Sequence, residues 1–306
     1  MKLDFGSFAA TDKVKLPYLL FQPERPTKKV AVWLHGMGSS IFYSSTWMNA
    51  LGEALTKQGI AFFAFNNRGA YDAKRLRLDD DLSSEDDGRF QGGTHYEVIA
   101  DCVKDIDGAV ASLRQAEFTE LYLLGHSTGA NKICVYDHRT KSNPFSKYVL
   151  AGPGDDVGLW FAQLGAKRFW KALDYAAKAV SEENGQHIMP KYSGMHPFSA
   201  QSAWDILNPD GDYNTFPFYE ANTERIGEKP LFSEYRAITI PTLVIIGSQD
   251  EFMTTAGSAA QALDMLMSET PNQMLKSNDF ILVNNADHSF YNQESVFANQ
   301  VAEWLS

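Results

Sequence analysis

Apolar residues along this chain fall into two rhythms. Lys28–Gly36 (KKVAVWLHG), Ile60–Gly69 (IAFFAFNNRG), Leu121–Leu124 (LYLL), Lys147–Gly154 (KYVLAGPG), Thr239–Gly247 (TIPTLVIIG) and Phe280–Val283 are short, near-continuous apolar runs. Runs of that kind suit strands of a parallel sheet covered on both faces. Between them the apolar positions recur about every fourth residue. Trp47, Leu51 and Leu55 mark a helix over 44–58, and Val98, Cys102, Ile106 and Val110 mark another over 94–115. Further helices are expected after Gly129, near Ala256–Met267 and near Gln293–Leu305, and Leu3–Ala10 with Lys15–Gln22 form a leading hairpin. Strand and helix alternating in this way predict an α/β fold with a mainly parallel central sheet and helices on both faces.

The rhythm breaks twice. A polar loop runs from Ala70 to Gly93 and holds the acidic runs Asp79–Asp81 and Glu85–Asp87. Loops of that length usually serve function or motion; the acidic runs read as solvated rather than metal-binding. After Gly154 no strand signal returns until Thr239. The intervening stretch opens with one aromatic helix, Leu159–Val180, and continues through the aromatic, Pro- and Gly-rich His187–Glu220. We expect a cap at 154–237 inserted between core segments 1–153 and 238–306.

The chemistry is concentrated where Leu121–Leu124 runs into Gly125-His126-Ser127-Thr128-Gly129. This is the G-x-S-x-G nucleophile elbow, a strand, a sharp turn and a helix with the serine at the turn. Glycines flank the serine because strand and helix come too close there for side chains. A serine hydroxyl is a weak nucleophile and needs a base held by an acid. His288, just past the strand Phe280–Val283, is the best base, since parallel sheets place their sites at the C-terminal ends of strands. Of the seven histidines, His35 shapes a turn, His126 is the variable elbow position, His95 and His138 fall in helical patterns, and His187 and His196 fall in the cap. Asp250 is the best orienting acid, with Glu251, Asp155 and Asp156 as rivals. The order Ser127, Asp250, His288 matches Ser…Asp…His. Two backbone N–H groups are needed for the oxyanion: Thr128, after the nucleophile, and Met37, with Gly38 as the alternative, in the loop after the early strand. Arg68 holds its own loop rather than touching substrate.

Net charge is −11, which argues against nucleic acid or an anionic membrane surface as partner. No apolar stretch reaches a membrane span, and no apolar leader opens the chain, so a cytoplasmic location is expected. Cys102 and Cys134 read as buried small apolar residues. No dinucleotide fingerprint follows the first strand, and no zinc spacing is present, so neither cofactor nor metal is expected.

The segments HGMG, FNNRG, GHSTG, GSQDE and ADH resemble the α/β-hydrolase superfamily along nearly the whole chain. GHSTGANK, together with SAWDILNPDGDYNTF in the cap, is similar to the siderophore-esterase-like hydrolases first described in fungi. The resemblance implies an α/β-hydrolase fold and hydrolysis of an ester in a hydroxamate-type iron carrier or a similar polar ester. The residues themselves suit a serine esterase acting on a small-molecule carboxylic ester. An amide or peptide hydrolase shares the machinery; it needs a carboxylate for the substrate amine, for which Asp210, Asp212, Glu220 and Glu224 are available in the cap. A carbon–carbon bond hydrolase and a non-catalytic binding protein complete the alternatives. Epoxide and haloalkane chemistry is disfavoured, because similar folds then carry Asp where Ser127 stands. Trp160, Trp204 and Phe216 are expected to line the substrate pocket.

Overall fold

The computed structural model describes residues 1–43, 45–79, 89–190, 195 and 197–306. Its centre is an eight-stranded sheet in the order β1-β2-β4-β3-β7-β8-β9-β10. The leading hairpin is β1 (Lys2–Ala9) and β2 (Lys15–Gln22), paired antiparallel, and β2 pairs antiparallel with β4 (Ala61–Phe65). From β4 onward every neighbour is parallel: β3 (Lys29–Leu34), β7 (Glu120–His126), β8 (Phe145–Ala151), β9 (Thr242–Gly247) and β10 (Asp279–Val283). The chain steps from β3 to β4 on one side and then to β7 on the other. That reversal leaves a crevice beyond the C-terminal ends of β3 and β7, where open α/β sheets bind ligands.

Side-chain alternation on β3 divides the core. Val30, Val32 and Leu34 join one buried cluster, while Ala31 and Trp33 join the other. The second face is covered by α1 (Ser45–Lys57) and α10 (Glu294–Leu305), which lie against each other. The first face takes α2 (Cys102–Gln115), α3 (Thr128–Arg139) and α9 (Ala259–Glu269). Cys102 and Cys134 are both buried free thiols.

Between β8 and β9 the chain is helical: α4 (Asp156–Leu164), α5 (Ala166–Ser181), α6 (Ala200–Leu207), α7 (Phe218–Asn222) and α8 (Ser233–Ala237). The single aromatic helix expected over 159–180 is two helices, broken at Gly165, which stands at φ 73°. Phe161, Phe169, Phe198 and Phe216 from this stretch belong to the same buried cluster as the sheet residues Val32 and Leu123.

Two further expectations are corrected. The stretch from Ala70 to Gly93 is not merely a loop: β5 (Lys74–Arg77) and β6 (Arg89–Gly92) pair antiparallel within it. Most of its acidic residues, like His196, lie outside the described residues. The helix expected from Thr94 begins at Cys102 instead. Two 3-10 turns precede it, Thr94–Tyr96 and Ile99–Asp101, separated by extended backbone at Glu97 and Val98. The cause is an interior ion pair: Glu97 meets Lys132 of α3, both side chains almost wholly buried. A helix through residue 97 would give up that contact.

Breaking this pair leaves an ammonium stranded in the core, which costs about 3–5 kcal/mol. Glu97→Ala should therefore lower the urea midpoint sharply, and Glu97→Ala combined with Lys132→Met should recover most of the loss. Equal destabilisation by the single and double variants would show that the pair does not anchor this segment.

Candidate functional site

Strand β7 ends at His126, Ser127 is the turn residue, and α3 starts at Thr128. Ser127 sits at φ 55°, ψ −130°, a conformation that L side chains rarely adopt. Backbone contacts enforce it. A Cβ on Gly125 would lie 2.2 Å from the Gly129 carbonyl oxygen, and one on Gly129 would lie 2.3 Å from the Leu34 carbonyl oxygen. The Ser127 N–H donates to the Ala151 carbonyl of β8 at 2.9 Å. The serine is thereby carried at the N-terminus of α3, where the first N–H groups have no intrahelical acceptor.

Beyond β9 and β10 two turns are joined edge to edge. Ser248 N–H donates to Val283 at 2.9 Å and Gln249 N–H to Ala286 at 2.8 Å. This brings His288 onto Asp250: His288 Nδ1–H points at both carboxylate oxygens, at 3.0 and 2.9 Å. Asp250 accepts from Nδ1–H, so the neutral ring keeps its lone pair on Nε2. Glu251, the neighbouring rival, takes a different partner, accepting the His288 backbone N–H at 3.1 Å. Gly152 closes the back of the pair. A Cβ there would lie 3.2 Å from Asp250 Oδ2 and 3.3 Å from the His288 ring.

His126 is enclosed by aromatic rings. It stacks on Trp33, with 5° between the planes, and meets the edge of Trp47 at 4.5 Å between centroids. Its Nε2–H donates to the His288 carbonyl at 2.8 Å. Burial and the nearby His288 hold its pKa well below the ordinary histidine value, so His126 acts as a neutral donor bracing the histidine turn. Phe252 covers the other side of His288, with ring centroids 4.6 Å apart.

The loop after β3 lies against the serine. A Cβ on Gly36 would be 2.8 Å from Ser127 Cβ and 3.3 Å from Oγ. His35 ties this loop to the one after β4: its Nδ1–H donates to Gly36 O at 2.9 Å and its Nε2 accepts from Asn67 N–H at 3.2 Å. That pattern requires a neutral ring, and burial holds its pKa down at about 3. Arg68 turns away into a carboxylate cluster, donating to Asp105 at 2.7–2.9 Å and to Asp12 at 2.9–3.0 Å. It holds its loop, as its sequence position suggests.

Ser127, His288, Met37, Thr128 and Trp160 all line one cavity of about 720 Å³. Asp250 stands behind His288. Trp204 and Phe216, expected in the wall, do not line it. Phe216 is buried against Phe218 and Tyr235, and Trp204 packs against the same core from α6. Their apolar area is taken up by the interior of the inserted helices.

The carboxylates weighed for a substrate amine are also engaged elsewhere. Asp210 accepts from the Glu228 and Lys229 backbones, Asp212 pairs with Arg139, Glu220 with Arg225, and Glu224 with the Tyr219 hydroxyl. Of the two aspartates after β8, Asp155 caps α4, accepting from Gly158 N–H at 2.9 Å and Tyr219 N–H at 2.7 Å. Asp156 lines the cavity. The Thr128 hydroxyl donates to it at 3.3 Å, and burial pushes its pKa up to about 6. Sequence reasoning weighed Asp156 only as an alternative acid for His288. It missed Phe252, the bracing role of His126 and the close approach at Gly152, for which the Gly-Pro-Gly at the end of β8 was the available signal.

A family model described as a protein of unknown function, DUF1749, matches residues 93–306, the elbow and both later turns included. The chain belongs to this family. No curated protein sequence matches it. Among solved structures it is similar to the esterase Est1E from Butyrivibrio proteoclasticus with ferulic acid bound, at 14% identity and TM-score 0.64, covering 98% of both chains. It is also similar to an esterase from Pyrococcus furiosus, at 16% identity and TM-score 0.58, over 99% of this chain and 90% of that one. A soluble variant of monoglyceride lipase from Saccharomyces cerevisiae, in complex with a substrate analog, matches at 14% identity and TM-score 0.59, over 98% and 94% of the two chains. These likenesses show the α/β-hydrolase fold for this DUF1749 chain. Among the described residues no helix is long and apolar enough to cross a membrane.

The elbow conformation has a testable cost. Strained backbone of this kind stores about 1–3 kcal/mol, and glycine relieves it where alanine does not. Ser127→Gly should melt at a higher temperature than Ser127→Ala, by about 1 kcal/mol of stability once glycine's greater unfolded-state entropy is subtracted. A lower melting temperature for the glycine variant would mean that the turn is not strained.

Proposed function

We propose that the chain is a serine hydrolase cleaving a carboxylic ester through an acyl-enzyme. Ser127 attacks the ester carbonyl, and His288 takes its proton and passes it to the leaving alcohol. Asp250 holds the imidazole in the required tautomer, and the Met37 and Thr128 N–H groups receive the oxyanion. Water then releases the acid with His288 as base. The single observation that carries this reading is the Asp250–His288 pair, whose histidine opens onto the same cavity as a serine held at the N-terminus of a helix. The names of the structural neighbours support an ester as substrate.

Residues 154–237 act in this reading as a cap over core segments 1–153 and 238–306, with α4 presenting Leu159, Trp160 and Gln163 to the cavity. The narrower likeness to siderophore esterases rests on the elbow and on Asn208–Asp212. In the latter, Asp210 organises a turn away from the cavity lining. A hydroxamate-type ester therefore belongs at the end of the substrate panel rather than the start.

Hydrolysis of p-nitrophenyl esters from acetate to decanoate should be measurable for the native chain and abolished in Ser127→Ala. Asp250→Asn should lower kcat by about 10⁴-fold, because the histidine then adopts the wrong tautomer. A folded protein that neither turns over any ester nor labels at Ser127 with a fluorophosphonate would overturn the assignment in favour of a binding protein.

A further inference from the structure

Among the described residues the cavity wall holds the carboxylates Asp72, Asp156 and Glu294 but no ammonium or guanidinium group, beside the imidazoles of His95, His126 and His288. His126 is held neutral. Lys132, the nearest buried ammonium on α3, is spent on Glu97. The chain as a whole carries −11, so its field also draws cations inward. Aromatic rings of Tyr43, Trp47, Trp160, Phe198, Phe252 and Tyr291 make up much of the remaining wall, and ring faces attract cations.

Within that wall Asp156 has a particular position. Its carboxylate lies 3.3 Å from the hydroxyl of Thr128, the residue that follows the nucleophile. That carboxylate accepts from neutral donors, the Thr128 hydroxyl and the Asn131 amide, and its remaining negative charge opposes the one that develops on an oxyanion at the Thr128 amide. A positive charge on the substrate cancels that opposition at the point where it matters for the rate. A second polar residue belongs to the same wall. Thr94, only 6% exposed, lines the cavity, and its buried hydroxyl oxygen has no hydrogen-bond partner among the described residues. A buried hydroxyl left unpaired in the free protein is expected to find its partner when a ligand fills the site.

We propose that the ester accepted here carries a protonated primary amine close to the scissile carbonyl, as an aminoacyl ester does, with Asp156 and the Thr94 hydroxyl receiving its N–H groups. This rests on the serine-esterase reading and names its substrate class. The carboxylate that an amine-bearing substrate requires is supplied by Asp156 at the start of α4, not by the acidic residues of the later cap. An ammonium has three donors, which suits a carboxylate and a hydroxyl together better than it suits the aromatic wall alone.

The test compares L-alanine p-nitrophenyl ester with p-nitrophenyl isobutyrate at pH 7. The two differ by an ammonium in place of a methyl group, and each rate is divided by its hydroxide-catalysed rate. The corrected kcat/KM should favour the alanine ester by about tenfold or more, as for a charge-assisted hydrogen bond. Asp156→Asn should bring the ratio close to one. Thr94→Val, which removes an unpaired hydroxyl and keeps its shape, should lower it by about two- to fivefold. A ratio at or below one in the native chain, or a ratio unmoved by both substitutions, overturns the proposal. If isobutyrate is hydrolysed in that case and the activity is lost in Ser127→Ala, the esterase reading stands without it. If neither ester is hydrolysed, this inference is overturned; if in addition no ester of the wider panel is turned over and Ser127 does not label with a fluorophosphonate, or if Ser127→Ala retains the activity, the esterase reading falls with it.

Discussion

The close crossing of β3, β7 and α3 at the elbow governs the rest of the site. Gly125 and Gly129 let three backbone segments meet with no side chain between them, and Gly36 lets the following loop rest on the serine. Hydrophobic burial of the parallel strands supplies the force that closes this junction. The junction in turn holds Ser127 in a backbone region that L side chains rarely adopt. Strain at one residue is tolerated because the surrounding sheet, buried on both faces, over-determines its position.

The second half of the site is assembled by a different means. Asp250 and His288 come from turns after adjacent parallel strands, and backbone hydrogen bonds between those turns set their separation before the side chains meet. Glu251 and His126 then clamp the histidine backbone from two directions. The ring is thus fixed by groups behind it and beside it, which is what keeps an imidazole in one orientation. The neutral states of His35 and His126 belong to the same construction: His35 must keep a lone pair to accept from Asn67, and burial keeps the His126 ring uncharged while it donates to the His288 carbonyl.

The helices between β8 and β9 show why a segment outside the strand–helix rhythm is hard to read. Aromatic residues there serve two purposes with one composition. Trp160 faces the cavity, while Phe216 and Trp204 fill the interior between helices. Nothing in their spacing separates the two roles, because that depends on how α4, α6 and α7 lie against one another. The Leu159–Val180 pattern likewise reads as one helix. Its division at Gly165 is set by the turn that brings α5 back onto α6 and not by any loss of apolar periodicity.

Local sequence determined the strands of the central sheet, most of the helices, the α/β class, the elbow, and the chain order of serine, acid and histidine. Each of these follows from periodicity or from a turn whose steric demands leave few residue choices. Tertiary structure decided which neighbouring carboxylate serves the histidine. It also placed Asp156 in the cavity and Asp155 at a helix cap, and made Glu97 interrupt a helix to meet Lys132. Such outcomes depend on distances between groups remote in the chain and on the cost of burying charge without a partner. A one-dimensional pattern carries neither quantity.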